Sequence, residues 1–160
     1  MKVVNIYTYT TAKSPKATKC EAVGYVIETE TTKGDATVGA LLTVKDTTKY
    51  QAELYVLKKA LTRINTKCEL HLYTECDYIA AGFEKWLAEW KENDWQTKRG
   101  EAVKNSKEWQ ELDALVQQYG HTLVFHIKEK HSYRNWFIDN LEKEKQKCLK
   151  NLENSIQQKK

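Results

Sequence analysis

The sequence Gly82-Phe-Glu-Lys-Trp86-Leu-Ala-Glu-Trp90-Lys-Glu-Asn-Asp-Trp95-Gln-Thr97 decides the fold of this 160-residue chain. Its first part continues an apolar pattern of helical period and predicts a helix from Asp77 to Trp90. Its second part begins a lysine-rich stretch without helical or strand periodicity. This pattern predicts an exposed loop at residues 91–107, called here the basic protrusion. A short helix from Trp109 to Tyr119 is predicted next, and Gly120 ends it.

Three segments upstream of this stretch are rich in β-branched and aromatic residues and predict consecutive antiparallel strands. They run from Val3 to Thr10, from Ala22 to Thr29 and from Ala36 to Val44. A helical period follows from Tyr50 to Ile64, and a further strand is predicted from Glu69 to Thr74. Because a strand, a crossover helix and another strand are typical of a parallel pair, we expect a mixed sheet.

Alternation of apolar and polar residues from Thr122 to Lys128 predicts a fifth strand, and the apolar spacing from Leu141 to Ile156 predicts a final helix. The element order is βββαβα, a loop, and αβα. It predicts an α/β fold with a five-stranded mixed sheet and helices on both faces. We expect one domain at residues 1–143, which includes the basic protrusion, and a charged helical extension at residues 144–160.

Composition adds weaker expectations about the surroundings of the protein. The chain is 41% hydrophobic and 30% charged, and no apolar run is long enough to cross a bilayer. The first residues resemble a strand rather than a signal peptide, so we expect a cytoplasmic protein, with a monomer favoured. Four cysteines without a CxxC pair predict reduced thiols, and a net charge of +4 hints at a polyanionic partner.

The order of elements and the quoted stretch, followed by Ala102-Val-Lys-Asn105 and Trp109-Gln-Glu-Leu112, resemble bacterial type I ribonuclease H. The resemblance covers about Val3 to Lys143. It implies a ribonuclease H-like fold and the cleavage of the RNA strand of an RNA/DNA hybrid, which would be the partner. In that family four carboxylates hold two Mg²⁺ ions, so the resemblance implies Mg²⁺, or Mn²⁺, as the cofactor.

Three of the four carboxylate positions of the family are matched by acids in this chain. Glu53 lies in the string Gln51-Ala52-Glu53-Leu54, Glu75 stands where the family usually has Asp, and Asp139 matches the carboxylate of the last helix. The resemblance therefore implies Glu53, Glu75 and Asp139 as metal ligands and catalytic residues. His131 resembles the loop histidine that is proposed to assist proton transfer or product release, and completes the implied catalytic set.

The first carboxylate position departs from the family, because Tyr9 stands where an Asp ends the first strand. A tyrosine hydroxyl is neutral near pH 7 and cannot replace a carboxylate that bridges two metal ions. The residues that contact the minor groove of the hybrid in the family are also changed, to Lys49, Tyr50 and Asp77. These departures predict weak or absent hydrolysis together with altered recognition.

Cations in the basic protrusion and in the loop after the first strand are candidates for contact with a phosphate backbone, to which Lys and Arg give salt-dependent affinity. The predicted nucleic-acid-binding residues are Lys13, Lys16, Lys91, Trp95, Lys98, Arg99 and Lys104. By contrast, the helical spacing of Trp86, Trp90 and Trp109 predicts core residues. The other histidines show no ligand spacing and are interpreted as structural; they are His71, His121 and His126.

Three functions are consistent with these patterns. The first is a ribonuclease H relative that binds an RNA/DNA hybrid or related duplex but hydrolyses it poorly or not at all. The second is an active divalent-metal-dependent ribonuclease H in which another acid, with Glu21 nearest in sequence, supplies the missing ligand. The third is a protein interaction module without a nucleic acid role, which would use the C-terminal helix.

Overall fold

A computed structural model describes residues 1–158 as a five-stranded mixed sheet with helices on both faces. The strands are β1 (Lys2–Thr10), β2 (Thr18–Thr31), β3 (Gly34–Thr47), β4 (Cys68–Thr74) and β5 (Thr122–Ile127). The helices are α1 (Lys49–Leu61), α2 (Asp77–Ala81), α3 (Leu87–Glu92), α4 (Ser106–Tyr119) and α5 (Arg134–Gln158), with a π-helical turn (Gly82–Trp86) before α3. The fold class predicted from the sequence is confirmed.

The order of strands across the sheet is β3-β2-β1-β4-β5. β2 is antiparallel to β1 and β3, while β4 is parallel to both β1 and β5. Since parallel strands end at the same edge of a sheet, the carboxyl ends of β1 and β4 lie side by side, with Tyr7 opposite Tyr73. Open α/β sheets usually bind ligands at such an edge.

The two faces of the sheet bury cores of different size. The larger core lies under α1 and α4 and includes Ile6, Leu54 and Trp109, each at most 1% exposed. On the opposite face, α5 inserts Phe137 and Leu141 against β1 and β2. Burial of side chains of this size stabilises the fold by about 1.5–3 kcal/mol each. The packing of α1 and α4 on one face and of α5 on the other therefore holds the sheet edge where the site lies.

Gly82 explains why the helix predicted from Asp77 to Trp90 is interrupted. A Cβ atom at Gly82 would lie 2.1 Å from Cη2 of Trp109, so only glycine permits this approach. The indole of Trp109 is fixed there by donating a hydrogen bond to the hydroxyl of Tyr78, at 2.8 Å. The π-helical turn that begins at Gly82 changes the helical register by one residue, which the apolar pattern alone does not reveal.

The tryptophans around this turn differ in burial. Trp109 is fully buried, and Trp90 is half-buried with its ring centroid 5.5 Å from that of Trp109, so the core prediction holds for these two. The core prediction for Trp86 is wrong, because its side chain is 37% exposed. Trp86 ends the π-helical turn and lies at the surface beside Tyr78.

Cys20, near the start of β2, forms a disulfide with Cys148 in α5, with the two Cα atoms 5.9 Å apart. The prediction of reduced thiols is therefore wrong for this pair, whereas Cys68 and Cys76 are free and buried. Sequence spacing does not reveal the bond because the two cysteines are 128 positions apart. The bond connects the predicted C-terminal extension to the sheet, and residues 159 and 160 of that extension lie outside the described residues.

Candidate functional site

Glu53 is the central acid of the edge where β1 and β4 end. It is placed there by α1, whose N-terminus is fixed by a capping box between Thr48 and Gln51. The side chain of Glu53 points into the sheet and is only 4% exposed. Thr74, the last residue of β4, accepts a hydrogen bond from the backbone of Cys76 at 3.0 Å, and its hydroxyl favours the ionised form of Glu53.

Burial raises the pKa of Glu53 to about 7, because the apolar surroundings disfavour the ionised carboxylate. The positive charges of Lys13 and Lys49 oppose this rise, and the negative charge of Glu75 adds to it. Glu53 therefore changes its protonation state near neutral pH. Protons and divalent cations would compete for this carboxyl group near neutral pH, since cations bind the ionised form.

The raised pKa of Glu53 predicts a stability that falls as the pH rises. The ordinary pKa of this carboxyl group is 4.5, so between about pH 4.5 and about pH 7 the folded state binds the proton more tightly than the unfolded state. Folding loses about 3 kcal/mol over this window. We expect Glu53→Gln to remove the decline in urea-unfolding experiments, whereas the exposed control Glu84→Gln keeps it. An undiminished decline in Glu53→Gln would contradict this prediction.

Tyr9 occupies the position at the end of β1 where the family resemblance expects an aspartate. Its ring stacks on that of Phe137, with centroids 6.1 Å apart and planes inclined by 10°. The ammonium group of Lys13 lies 4.6 Å from the centroid of the Tyr9 ring, within cation–π distance. The ring thus joins α5 to the loop after β1, and it contributes no carboxylate to the edge.

Glu75 and His131 lie close to each other beside β4. Nε of Arg134 donates to Oε1 of Glu75 at 3.2 Å, so an internal cation already compensates this acid. Nδ1 of His131 accepts a hydrogen bond from the backbone of Tyr133 at 3.2 Å. Burial lowers the pKa of His131, with Arg134 acting in the same direction and Glu75 opposing it, so the neutral imidazole is favoured.

Asp139 is exposed on α5, between the buried residues Phe137 and Leu141. It lines a surface pocket with Glu142 and Lys143, on the helix side that faces away from the core. Glu21, the alternative ligand, is buried and its Oε1 lies 2.8 Å from Nζ of Lys145, so its charge is compensated there.

The acids at this edge do not fit a centre for two metal ions. Within residues 1–158, no group of three or more His, Cys, Asp or Glu side chains is arranged to hold a metal ion. Mg²⁺ requires near-ideal octahedral oxygen ligation, usually with carboxylates and retained waters. Glu75 is paired with Arg134 and Asp139 lines a different surface pocket, so within the described residues the structure does not assemble the ligand set that the resemblance implies.

A cationic surface cavity of about 270 Å³, called here the basic groove, lies next to this edge. It is formed by three separate segments: the loop after β1, the start of α1 and the end of the basic protrusion. The residues that line it are Lys13, Pro15, Thr48, Lys49, Tyr50 and Lys104. The exposed ring of Tyr50 stacks on that of Tyr78, with centroids 4.0 Å apart and planes within 9°.

The structure divides the predicted nucleic-acid-binding residues into two sets. Lys13 and Lys104 face the basic groove, and Lys98 and Arg99 are exposed at the tip of the basic protrusion, where Gln96 and Ala102 form a β-bridge. Lys16 is exposed near the groove entrance. The other two residues are engaged internally: Lys91 contacts a carboxylate oxygen of Asp113 at 2.7 Å, and Trp95 packs on Trp90.

Two residues of the basic groove, Lys49 and Tyr50, are not among the binding residues predicted from the sequence, where they stand only as departures from the family. Their signal is positional, because both lie in the first turn of α1, directly before the Gln51-Ala52-Glu53 string. Both residues line the basic groove next to the edge where β1 and β4 end.

The remaining histidines, which the sequence analysis interprets as structural, are held by hydrogen bonds in and beside β4 and β5. His121 is buried and its Nδ1 accepts a hydrogen bond from the backbone of Cys68 at 3.2 Å. His71 and His126 are 2.8 Å apart between Nδ1 and Nε2, and each makes a second hydrogen bond, to Glu69 and Glu129 respectively. These contacts join β4 to β5 and to the turn that follows β5.

The family model described as RNase H matches residues 1–147, and the chain belongs to that family. Among curated proteins, it is 41% identical over 78 residues to the ribonuclease H of Francisella tularensis subsp. novicida. The ribonuclease H of Francisella philomiragia shows the same identity over the same length. The match covers 49% of this chain and 51% of each relative, so the chain spans about half the length of the curated relatives it matches.

Solved structures share the fold at low sequence identity. The chain is similar to LC9-RNase H1, a type 1 RNase H with the type 2 active-site motif, with a TM-score of 0.70 and 18% identity over 88% of this chain and 70% of that chain. It is also similar to LC11-RNase H1 in complex with RNA/DNA hybrid, with a TM-score of 0.56 and 16% identity over 86% and 92% of the two chains. None of the described helices is sufficiently long and apolar to span a membrane.

Proposed function

We propose that this protein binds an RNA/DNA hybrid or a related duplex and cleaves its RNA strand weakly or not at all. The observation that carries the proposal is Tyr9, which places an aromatic ring where the metal-binding edge of the family needs a carboxylate. Two metal ions held by such carboxylates would activate the attacking water and stabilise the leaving oxygen of the RNA strand. Without that ligand, Glu53 and Glu75 serve as remnants of the site.

Binding is supported by the basic groove and the tip of the basic protrusion. Lys13, Lys49 and Lys104 converge on one cavity, and their combined charge suits a phosphate backbone. Two similar structures have duplex ligands: LC11-RNase H1 has an RNA/DNA hybrid, and the foamy viral protease-reverse transcriptase has dsDNA. The latter has a TM-score of 0.67 and 18% identity over 88% of this chain and 91% of that chain.

Recognition of the duplex relies on different side chains from those of the family. In place of the amides that read the minor groove, this chain has the Tyr50–Tyr78 stack and Lys49 at the groove wall. Aromatic rings contact sugars and bases by packing, which is less dependent on sequence than hydrogen bonding. We therefore expect binding that depends strongly on salt and weakly on base sequence.

The test of the proposed function is the cleavage of a labelled RNA/DNA hybrid with Mg²⁺ or Mn²⁺. We expect the natural chain to retain the hybrid on a binding gel without cutting it, and Tyr9→Asp to raise metal-dependent cleavage at least about tenfold, because it restores one ligand. Arg134→Gln in the same background removes the ion pair of Glu75 and should raise the metal-dependent cleavage further.

A Glu53→Gln change in the Tyr9→Asp background is the control, since it should abolish the gained activity, whereas contaminating nuclease would persist. Cleavage by the natural chain that is lost in Glu53→Gln would contradict the proposal and would favour an active ribonuclease H. Absence of salt-sensitive binding to every duplex would leave a protein interaction module as the remaining function.

A further inference from the structure

β3 forms one edge of the sheet and is unusually open to pairing. Within residues 1–158 it is hydrogen-bonded to β2 on one side and to no strand on the other. It is 14 residues long, and its first six residues are exposed. Natural edges of this length usually carry prolines, inward charges or lysines that block pairing, but the segment from Ala36 to Val44 contains neither a proline nor a charge.

The hairpin register shows which backbone groups point outward from this edge. A two-residue turn joins β2 to β3, with Thr31 opposite Gly34 as the first pair. Hydrogen-bonded and non-hydrogen-bonded pairs alternate in an antiparallel ladder, so the even-numbered residues of β3 bond to β2. The odd-numbered residues from Asp35 to Lys45 therefore direct their N–H and C=O groups away from the sheet.

The sequence of β3 is complementary to itself when it is read in the antiparallel direction. If Ala40 lies opposite the same residue of a second copy, Asp35 lies opposite the partner's Lys45, and Lys45 lies opposite the partner's Asp35. Thr37 then meets the partner's Thr43. These are odd-numbered residues, which have the outward backbone groups that the pairing needs. Neither Asp35 nor Lys45 makes a salt bridge within residues 1–158.

The surface beside the edge also suits a second copy. A groove of about 520 Å³ runs along Thr37 and Gly39 and is closed on its other side by Tyr133 and Trp136 of the α5 region. Trp136 is 42% exposed and lines this groove, so a second copy seated there would cover apolar surface. In the register above, the partner's Leu41 lies opposite Gly39, on the side of the sheet that α5 covers.

We propose that two copies of this chain pair through β3, antiparallel, with Ala40 at the two-fold axis, to form a continuous ten-stranded sheet. The dimer differs from the monomer favoured on the sequence. It contains two cross-strand ion pairs between Asp35 and the partner's Lys45, which fix the register against neighbouring alternatives. The carboxyl end of β1 is separated from this interface by β2, so pairing leaves the candidate functional site open.

Charge reversal of the full chain tests this dimer by sedimentation velocity over a range of concentrations. We expect the natural chain to dimerise reversibly, and Asp35→Lys and Lys45→Asp each to weaken association at least about tenfold, because like charges then face each other. Mixing the two variants should restore association, since both cross-strand pairs of the mixed dimer are then of opposite charge. Lys67→Asp, a reversal at an exposed residue directly before β4, should have no effect.

The mixing step separates interface complementarity from damage to either protomer, because a damaged fold would not be rescued by a second damaged chain. Thr37→Pro provides an independent test, as it removes an outward N–H without removing a bond to β2. A natural chain that stays monomeric at every concentration would overturn the proposal. So would a dimer whose association is unchanged by both reversals.

Discussion

Reduction of the disulfide between Cys20 and Cys148 is expected to lower the free energy of unfolding by about 2–5 kcal/mol. The bond closes a loop of 128 residues, nearly the whole domain, so its loss restores much conformational entropy to the unfolded chain. For a domain of this size the change corresponds to a decrease in Tm of about 5–15 °C. Thermal unfolding followed by circular dichroism, with and without reductant, measures it.

The double variant Cys20→Ser, Cys148→Ser is the matched control for this experiment. It should unfold at the temperature of the reduced natural chain and should not respond to reductant. The two remaining thiols, Cys68 and Cys76, are buried, and burial raises the pKa of Cys76 to about 11, so that thiol is unreactive. Equal melting temperatures in oxidised and reduced natural protein would show that the bond does not stabilise the fold.

The strands and the mixed character of the sheet could be predicted from the sequence because each strand has a strong local pattern, whereas the order of the strands across the sheet was not predicted. β1 and the β2–β3 hairpin combine β-branched residues with a clear turn at Thr32 and Lys33. Each predicted strand matches an observed one, although the hairpin strands extend several residues farther than predicted. The extension includes the polar residues near the turn, which pair only because a partner strand is present.

The interruption at Gly82 and the exposure of Trp86 could not be predicted, since both depend on tertiary contact. The local pattern of residues 77–90 is helical throughout, but the close approach to Trp109 selects a π-helical turn. The disulfide is a similar case. A bond between β2 and α5 depends on how the helix crosses the sheet, and spacing along the chain carries no information about that crossing.

The sequence predicts the positions of individual acids at the candidate site. It does not predict which ion pairs those acids form or how burial shifts their pKa values. Glu53 and Glu75 lie at the edge that their positions predict. The proximity of Arg134 to Glu75, and the burial that raises the pKa of Glu53, follow from packing around the edge. The exposure of Asp139 has the same origin, because Phe137 and Leu141 determine which side of α5 faces the sheet.

Removal of the three groove lysines is expected to reduce the affinity for an RNA/DNA hybrid about a hundredfold at physiological salt. Each phosphate contact contributes about 0.9 to the slope of log K against log salt, so the triple variant Lys13→Ala, Lys49→Ala, Lys104→Ala should lower that slope by about 3. The reason is geometric, since all three side chains line one cavity beside the strand ends. Fluorescence anisotropy with a labelled hybrid at several salt concentrations measures both quantities.

A second triple variant provides the matched control for net charge. Lys33, Lys67 and Lys150 are exposed and do not line the basic groove, and their replacement by alanine removes the same total charge. This variant should keep the natural slope and lose only a small part of the affinity through the long-range field. If both triple variants changed the slope equally, the basic groove would not be the binding surface, and affinity would reflect overall charge alone. A loss confined to the groove variant would place the duplex across the loop after β1, the start of α1 and the basic protrusion.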